Sequence, residues 1–152
     1  MKMRRKDLKL DKPQALQILK ESDYGVLATS YDGFPYAVPL NYVFAENSIY
    51  IHSADRGHKI SYIKSNNNVS FCVMGNNEVI PQELNTKYRS VVIFGKAEIL
   101  TEEDEKRMAL QELVKKFAPK FVEKGLHFIK KDFTRVAVIK IKIDKITGKG
   151  NF

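Results

Sequence analysis

The sequence predicts a mainly β protein, an antiparallel β-barrel with helical decorations. Three observations support this fold class. Short strand-like segments follow one another closely, turn signals such as Asp32-Gly33 separate them, and amphipathic helical segments interrupt them in two places. Strands and helices do not alternate as βαβ units, which argues against a parallel dinucleotide-binding sheet. The 152 residues suit a single domain with one core, in which we distinguish residues 1–10 as a basic N-terminal arm.

The chain is expected to open with a helix that begins near Asp11. Asp11 can cap the helix, Pro13 is tolerated in its first turn, and Gln14 can complete a capping box. Three strands follow, and the second contains Pro35 and Pro39, which confine it to a sheet edge or to bulged pairing. The predicted strands cover residues 24–31, 34–44 and 48–53.

The second half is predicted to add three strands and three helical segments. A short helix over residues 57–65 directs Ile60 and Ile63 inward, and Gly95 marks a bulge in the fifth strand. The remaining predicted elements are a strand at 69–74, an irregular connection at 75–87, a strand at 88–100, helical segments between 101 and 131, and a strand at 134–146.

Composition narrows the class of protein further. Hydrophobic residues at 43% and charged residues at 29% are globular values, and the single cysteine, Cys72, is expected to be a buried small hydrophobe. No apolar run is long enough to span a bilayer, and the basic N-terminus lacks the apolar core of a signal peptide. We therefore expect a cytoplasmic protein that does not enter membranes.

The formal net charge of +8 has two interpretations. A basic surface attracts phosphate, either on a nucleic acid or on a nucleotide-like cofactor. A solvated lysine-rich surface without a specific partner is the simpler interpretation, and we favour it.

Catalytic motifs that work without a cofactor are missing from the sequence. It contains no GxGxxG, Walker A, nucleophile-elbow, HExxH or CxxC pattern, and His52, His58 and His127 are too scattered to predict a metal site. Any enzymatic activity would then depend on a cofactor that brings its own chemistry.

The segment from residue 49 to residue 59 is the most informative. A strand ends in small polar residues and a helix starts at once, so backbone N–H groups with Ser53, Arg56 and Lys59 can form a phosphate cradle. An ordinary strand–helix junction with solvated basic residues explains the same pattern. His52 shares a strand face with Tyr50, opposite Ile49 and Ile51, and is either a hydrogen-bonded structural residue or a ligand-facing one.

Several segments, in their order along the chain, resemble the pyridoxamine 5′-phosphate oxidase-like flavoproteins, and within them the nitroimidazole-resistance (Nim) subgroup. The resemblance covers about residues 10–148. The segments that carry it are Gly33-Phe34-Pro35-Tyr36-Ala37-Val38-Pro39-Leu40-Asn41-Tyr42, Ile49-Tyr50-Ile51-His52-Ser53-Ala54, Gly57-His58-Lys59, Asn68-Val69-Ser70-Phe71 and Tyr88-Arg89-Ser90-Val91-Val92-Ile93-Phe94-Gly95-Lys96-Ala97.

The resemblance implies a Greek-key split β-barrel that forms a homodimer with FMN at the subunit interface. Strand residues along the flavin would be Val38, Pro39, Leu40 and Asn41. The ribityl phosphate would lie against His52, Ser53, His58 and Lys59, and Arg89 and Ser90 would lie near the other subunit's flavin. The same resemblance assigns His52 to the substrate side of the flavin, as the candidate catalytic residue.

One departure from the family matters for function. Pyridoxamine oxidases proper carry an Arg-x-Val-Leu-Leu-Lys run in the second strand, and here the aligned residues are Ala37-Val38-Pro39-Leu40-Asn41-Tyr42. Two phosphate-facing cations are therefore missing, which argues against oxidation of pyridoxamine phosphate itself. Lys59 would carry more of the FMN phosphate charge, with help from backbone N–H groups.

The expected function is that of an FMN-dependent oxidoreductase acting on a small molecule, with reduction of a nitroimidazole or other nitro-aromatic compound as one candidate reaction. A non-catalytic flavin-binding or redox-sensing module is the alternative. A nucleic-acid-binding basic barrel is the least favoured, because alternating Tyr and Phe residues are typical of a barrel core or a dimer interface. Apolar residues on both faces of the strands between residues 24 and 74 also favour a symmetric dimer.

Overall fold

A computed structural model describes residues 1–151, and within them the chain forms one antiparallel sheet that curls into a split barrel. The strands are β1 (Lys9–Leu10), β2 (Tyr24–Tyr31), β3 (Phe34–Asn41), β4 (Val43–Ala45), β5 (Ser48–Ala54), β6 (Asn68–Met74), β7 (Glu78–Ile80), β8 (Asn85–Ile99) and β9 (Val136–Asn151). The α-helices are α1 (Lys12–Glu21), α2 (His58–Ser65), α3 (Glu103–Phe117) and α4 (Val122–Asp132).

The order of strands explains why the barrel is split. Paired neighbours run β3-β2-β6-β8-β9-β5-β4, so β3 and β4 are the two edges of this path. These edges are consecutive in the chain and are joined only by Tyr42. The Tyr42 ring is fully buried, lies 5.1 Å from the Phe71 ring in an edge-on arrangement, and its hydroxyl donates to the Leu19 carbonyl at 2.6 Å. Tyr42 therefore fastens both edges to the interior and to α1.

The barrel interior is a closed aliphatic and aromatic core. Leu27, Phe71, Val73 and Ile93 have no exposed surface, and α1 covers one end with Ala15, Ile18 and Leu19. Burial of this amount of apolar surface is the main stabilising contribution expected for a domain of this size.

A second layer packs on the outer face of β4, β5 and β9. Its buried residues are Val43, Tyr50, Leu100, Ala109, Leu110, Leu113 and Val138. Glu105 of α3 anchors this layer: its carboxylate accepts a hydrogen bond from the Tyr50 hydroxyl at 3.0 Å and forms an ion pair with Lys140. Helix α4 contributes no buried residue and packs against α3.

Several predicted features are confirmed. Asp11 and Gln14 form both halves of the capping box of α1, and the β8–β9 register shifts between Phe94 and Gly95. An ideal Cβ on Gly95 would lie 2.1 Å from the Lys142 carbonyl oxygen, so the bulge requires glycine. Strand β3, which contains both prolines, lies at the sheet edge as predicted.

Four predictions about local structure are wrong. The strand predicted over residues 34–44 breaks at Tyr42, because that ring turns into the core. Residues 75–87 are not an irregular connection: β7 pairs with β8, with a 3-10 turn at Pro81–Glu83 between them. The last strand begins at Val136 and continues to Asn151, where Gly148 permits close packing against Leu10 of β1.

The fourth error concerns Cys72, which is exposed and not buried. Phe71 and Val73 take the inward positions of β6, so alternation directs Cys72 outward. Partial burial against the sheet still raises the pKa of the Cys72 thiol. Among residues 1–151, no helix has the length and apolar character that would be needed to cross a bilayer.

Candidate functional site

The start of α2 has a backbone arrangement that could hold an anion. Gly57 is the N-cap residue with φ +129°, a backbone conformation that L side chains rarely adopt. No side chain caps the first turn of α2, and nothing lies within 4 Å of the place where a Gly57 Cβ would stand. The N–H groups of this turn have no side-chain cap, and a phosphate is the kind of group that an uncapped helix start binds.

Two of the predicted phosphate residues lie at this position. Lys59 is half-buried in the first turn of α2, and the His58 ring lies 5.8 Å from the ring of Tyr36 on β3. Ser53 differs from the prediction, because it is buried and its hydroxyl donates to the Ala54 carbonyl at 2.8 Å. Arg56 is almost fully exposed, 3.5 Å from Asp55. Of the groups predicted to hold the phosphate, backbone N–H groups, His58 and Lys59 are therefore the ones that lie at the start of α2.

The predicted flavin-lining strand divides its residues between two faces. Val38 and Leu40 pack against the barrel core, whereas Pro39 and Asn41 are exposed on the opposite face. Because β3 is an edge strand, part of its backbone faces away from any neighbouring strand and is open to a ligand. The Asn41 amide donates to the Asp23 carbonyl at 3.1 Å, which fixes its orientation.

His52 lies at the mouth of a cleft between the sheet and the outer helices. Ile49 and Ile51 face the barrel core while Tyr50 packs in the outer layer, so the predicted alternation along β5 is confirmed. The exposed His52 and Asn41 both line a cleft of about 430 Å³. Its apolar walls come from α3 (Leu113, Val114 and Phe117), α4 (Phe128 and Ile129) and β9 (Val136).

Arg89 and Ser90 lie elsewhere on the chain. Arg89 lines a separate cleft of about 780 Å³ between the end of α1 and the β7–β8 hairpin, together with Asp23 and Lys87. Ser90 pairs with Met74 and Lys149 across the sheet. A single chain does not bring these two residues to His52 and Lys59, and their assignment to the other subunit's flavin stays a prediction.

The outer face of the barrel sheet is a continuous surface of small and apolar residues. Cross-strand partners follow one another from β3 through β2 and β6 to β8, so their side chains share one side of the sheet. We call this surface the outer sheet face; it comprises Val26, Ala28, Ala37, Pro39, Ser70, Cys72, Val92 and Phe94.

Sequence reasoning missed the aromatic residues around these positions. Tyr36 beside His58 and the rings of Phe117, Phe128 and Phe133 around the cleft were not singled out as site residues. One signal was available in the sequence: large apolar residues stand at the N-cap of α4 (Phe121) and within the helix (Leu126 and Phe128). In the structure all three are at least 40% exposed. Within the described residues, no group of three or more His, Cys, Asp or Glu residues is arranged to hold a metal ion.

Comparison with protein families identifies the fold. The family model described as pyridoxamine 5′-phosphate oxidase matches residues 11–150. The chain belongs to this family. No curated protein matches the sequence.

Solved structures of similar proteins agree with membership of the pyridoxamine 5′-phosphate oxidase family. A candidate 5-nitroimidazole antibiotic resistance protein from Bacteroides thetaiotaomicron is 25% identical, with a TM-score of 0.74 over 93% of this chain and 86% of that one. A FAD-binding protein from Mesorhizobium loti is 23% identical, with a TM-score of 0.68 over 95% and 97% of the two chains.

The flavocytochrome Anf3 from Azotobacter vinelandii is 18% identical, with a TM-score of 0.81 over 99% of this chain and 72% of that one. The split-barrel fold of this family member is therefore one that flavin-binding proteins share, and the predicted fold class is confirmed.

Proposed function

We propose that this protein binds FMN at the interface of a homodimer and acts as an oxidoreductase on a small molecule. The observation that carries the proposal is the pairing of an uncapped helix start with an apolar cleft. Gly57 follows His52 by five residues, which span at most about 17 Å. The cleft and the helix start therefore lie within this limit of each other, which is close enough for one ligand with a phosphate at one end and a flat ring system at the other.

The phosphate end of the ligand fits the first turn of α2. Backbone N–H groups at Gly57 and beyond supply donors, and the positive end of the helix dipole favours an anion there. Lys59 supplies the full positive charge, since the strand arginine and lysine of pyridoxamine oxidases have no counterpart between Ala37 and Tyr42.

The ring end fits the edge of β3 and the mouth of the cleft. The outward backbone of β3 offers hydrogen-bonding groups to the ring edge, and Pro39 and Asn41 lie on the exposed side of that strand. Bound FMN would supply the redox chemistry. His52 would hold a proton at the mouth of the cleft and donate it to the reduced product, as a candidate catalytic residue.

The outer sheet face supports the homodimer. It combines Val26, Ala37, Pro39 and Cys72 with neighbouring apolar residues on a surface that is exposed or half-buried in a single chain, and monomeric proteins seldom leave a large surface of this kind uncovered. A two-fold axis through this surface would bury the same residues of both copies. It also offers a way for Arg89 and Ser90 of one copy to approach the flavin of the other.

Nitro-aromatic reduction is the first reaction to test. A relative with 25% identity over most of its length is a candidate 5-nitroimidazole resistance protein. The cleft beside His52 is apolar and ring-sized, which favours a flat aromatic substrate over a sugar or a peptide.

The test begins with the purified protein, offered FMN or FAD and then desalted. Retained absorption near roughly 370 and 450 nm, as expected of a bound flavin, supports the proposal. Lys59→Gln should weaken FMN binding about tenfold, a loss of about 1.4 kcal/mol, because it removes the phosphate's side-chain cation. Lys64→Gln, on the last turn of the same helix, is the matched control and should bind FMN normally.

Two further experiments test the dimer and the catalytic role of His52. Light scattering should give twice the mass of one chain, and Val92→Glu, which introduces a charge into the outer sheet face, should give single chains that lose FMN. His52→Phe should retain FMN but lose most reduction of a nitroimidazole by a chemical electron donor. Absence of flavin from every sample would refute the proposal, and full turnover by His52→Phe would remove His52 from the catalytic role.

A further inference from the structure

We infer that the cleft between α3, α4 and the β5–β9 edge is a binding site for a neutral, flat ring compound and that it rejects anions. Binding itself is argued from the cleft alone. That the compound is the substrate of the same site rests on the proposed function.

The cleft has the size and surface of a small-molecule site. Its volume of about 430 Å³ lies within the range of roughly 300–1,000 Å³ that is usual for such sites. Three phenylalanines, Phe117, Phe128 and Phe133, line it together with aliphatic side chains. Aromatic rings favour stacked or edge-on contact with another flat ring, so a planar ligand gains more here than a branched one.

The polar residues of the cleft oppose a negative charge. Asp132 lines it at the end of α4, is half-buried, and forms no ion pair with any residue from 1 to 151. Asn41 and His52 are its other side chains able to hydrogen-bond. An anion would lose its hydration in an apolar space next to a carboxylate.

No lysine or arginine among residues 1–151 lines the cleft. The cations near its rings are Lys106 and Arg107, at 4.5 and 4.8 Å from the Phe133 ring, and Lys116, at 5.2 Å from the Phe117 ring. The Lys116 ammonium donates to the carbonyls of Ser22 and Tyr42, and the Lys106 ammonium donates to the Phe133 carbonyl at 2.6 Å. Both ammonium groups therefore donate to backbone oxygens rather than to a group in the cleft. The cleft differs in this respect from the start of α2, where Lys59 accompanies N–H groups that have no side-chain cap.

One wall of the cleft is loosely held. Helix α4 has no buried residue, and it packs tightly on α3 at Gly125, where an added Cβ would lie 2.4 Å from a Val114 methyl carbon. Phe128 of α4 is 52% exposed in spite of its apolar ring. A flat ligand between Phe128 and Phe117 would cover both rings, which gives the apolar surface of α4 something to pack against.

Fluorescence titration with two matched probes tests the inference. 1-Naphthylamine is neutral near pH 7, 1-naphthoate is an anion of the same ring, and both report transfer out of water. We expect 1-naphthylamine to bind at least about tenfold more tightly than 1-naphthoate, because the anion would lose its hydration against apolar walls beside the Asp132 carboxylate. The titrations are made with flavin-free protein and with FMN-loaded protein.

Cleft-filling variants locate the probe. Ala118→Phe and Val136→Phe each add a ring to a residue that lines the cleft and should weaken 1-naphthylamine binding at least about tenfold. Val79→Phe makes a similar change on the exposed β7 hairpin and should bind the probe normally. Circular dichroism checks that each variant is folded, and two independent blocking variants guard against one that is not.

The outcomes separate the two proposals. Binding of 1-naphthylamine to both forms of the protein, lost in the blocking variants, supports the inference. Equal binding of 1-naphthoate, undiminished binding by folded blocking variants, or displacement of the probe by FMN would overturn it. If the protein binds no flavin but binds 1-naphthylamine in the cleft, the proposed function fails while the cleft remains a ligand site.

Discussion

The barrel interior and the outer layer contain the same kinds of apolar residue but differ in how completely those residues are buried. In the barrel, Phe71, Leu27 and Ile93 have no exposed surface, because strands and α1 enclose them on every side. In the outer layer, Phe117 and Phe128 remain 40% and 52% exposed beside the cleft. Both regions are rich in apolar residues. The barrel differs from the candidate site in this fold because its apolar side chains are enclosed on all sides, whereas those beside the cleft are not.

The cause of the difference is the way each part is held. Every barrel strand is fixed by backbone hydrogen bonds to its neighbours. Strand β8, for example, pairs with β6, β7 and β9. Helix α4 has its own internal hydrogen bonds and side-chain contacts to α3, without a ladder to the sheet. Local stability is therefore expected to be lowest where the cleft lies.

Removal of one phenylalanine from each region should give the largest contrast. Phe71→Ala leaves a cavity in a closed core and should lower the free energy of unfolding by about 3–5 kcal/mol. Phe128→Ala removes a ring that is already half in water and should cost less than about 1 kcal/mol. Urea unfolding with unchanged slope measures both, and equal losses would contradict the distinction between the two regions.

Glycine-to-alanine changes should give a smaller contrast of the same sign. In Gly95→Ala the new Cβ meets a backbone oxygen at 2.1 Å, so the β8–β9 bulge must distort and stability should fall by at least about 2 kcal/mol. In Gly125→Ala the neighbour is the Val114 side chain, α4 has no buried residue to hold it in place, and alanine favours a helix by about 1 kcal/mol over glycine.

We therefore expect a net change within about 1 kcal/mol for Gly125→Ala. Thermal unfolding of the two variants side by side measures the contrast. A loss for Gly125→Ala as large as that for Gly95→Ala would mean that α4 is as firmly held as the barrel.

Removal of the Glu105–Lys140 ion pair, which anchors the outer layer, should have the smallest effect on the free energy of unfolding, and that effect should depend on pH. Hydrogen bonding from Lys140, with a smaller contribution from Tyr50, lowers the pKa of Glu105 below its ordinary value of 4.5. Glu105 therefore stabilises the folded state above that pH, and this contribution is lost as the pH falls through the lowered pKa.

Glu105→Gln should cost about 1 kcal/mol near pH 7, and the difference from the unchanged protein should vanish in acid. Glu112→Gln, which breaks the exposed pair with Lys115 at 3.3 Å, is the control and should change stability by less than about 0.5 kcal/mol. Urea midpoints measured between pH 3 and pH 7 follow both differences. A difference for Glu105→Gln that is independent of pH would show that the carboxylate charge is not its source.

Local signals made most of the barrel predictable. The Asp32-Gly33 turn, the capping box at Asp11 and the bulge at Gly95 each depend on the conformation of a few neighbouring residues, and each is present in the structure. The alternation of Ile51 and His52 was predictable for the same reason, because strand geometry alone assigns them to opposite faces.

Features that depend on distant contacts were not predictable. The break at Tyr42 arises from its contacts with Leu19 and Phe71, 23 and 29 positions away, and nothing local marks it. Cys72 looked buried because its apolar run resembles a strand covered on both faces, whereas only one face of β6 meets the core. The cleft required α3 and α4 to be positioned against β5, so His52 could be singled out but its aromatic surroundings could not.

The junction at Tyr42 has a consequence for how this fold tolerates change in length. The chain has an irregular residue there, which in most proteins marks a place where insertions are accepted. Here the Tyr42 carbonyl accepts a hydrogen bond from Lys116 of α3, and the Tyr42 hydroxyl donates one to α1. The strands on either side of Tyr42 are the two edges of the sheet. An added residue would pull these apart, so length variation should collect instead at exposed turns such as Glu46-Asn47, and the barrel seam should keep a constant spacing.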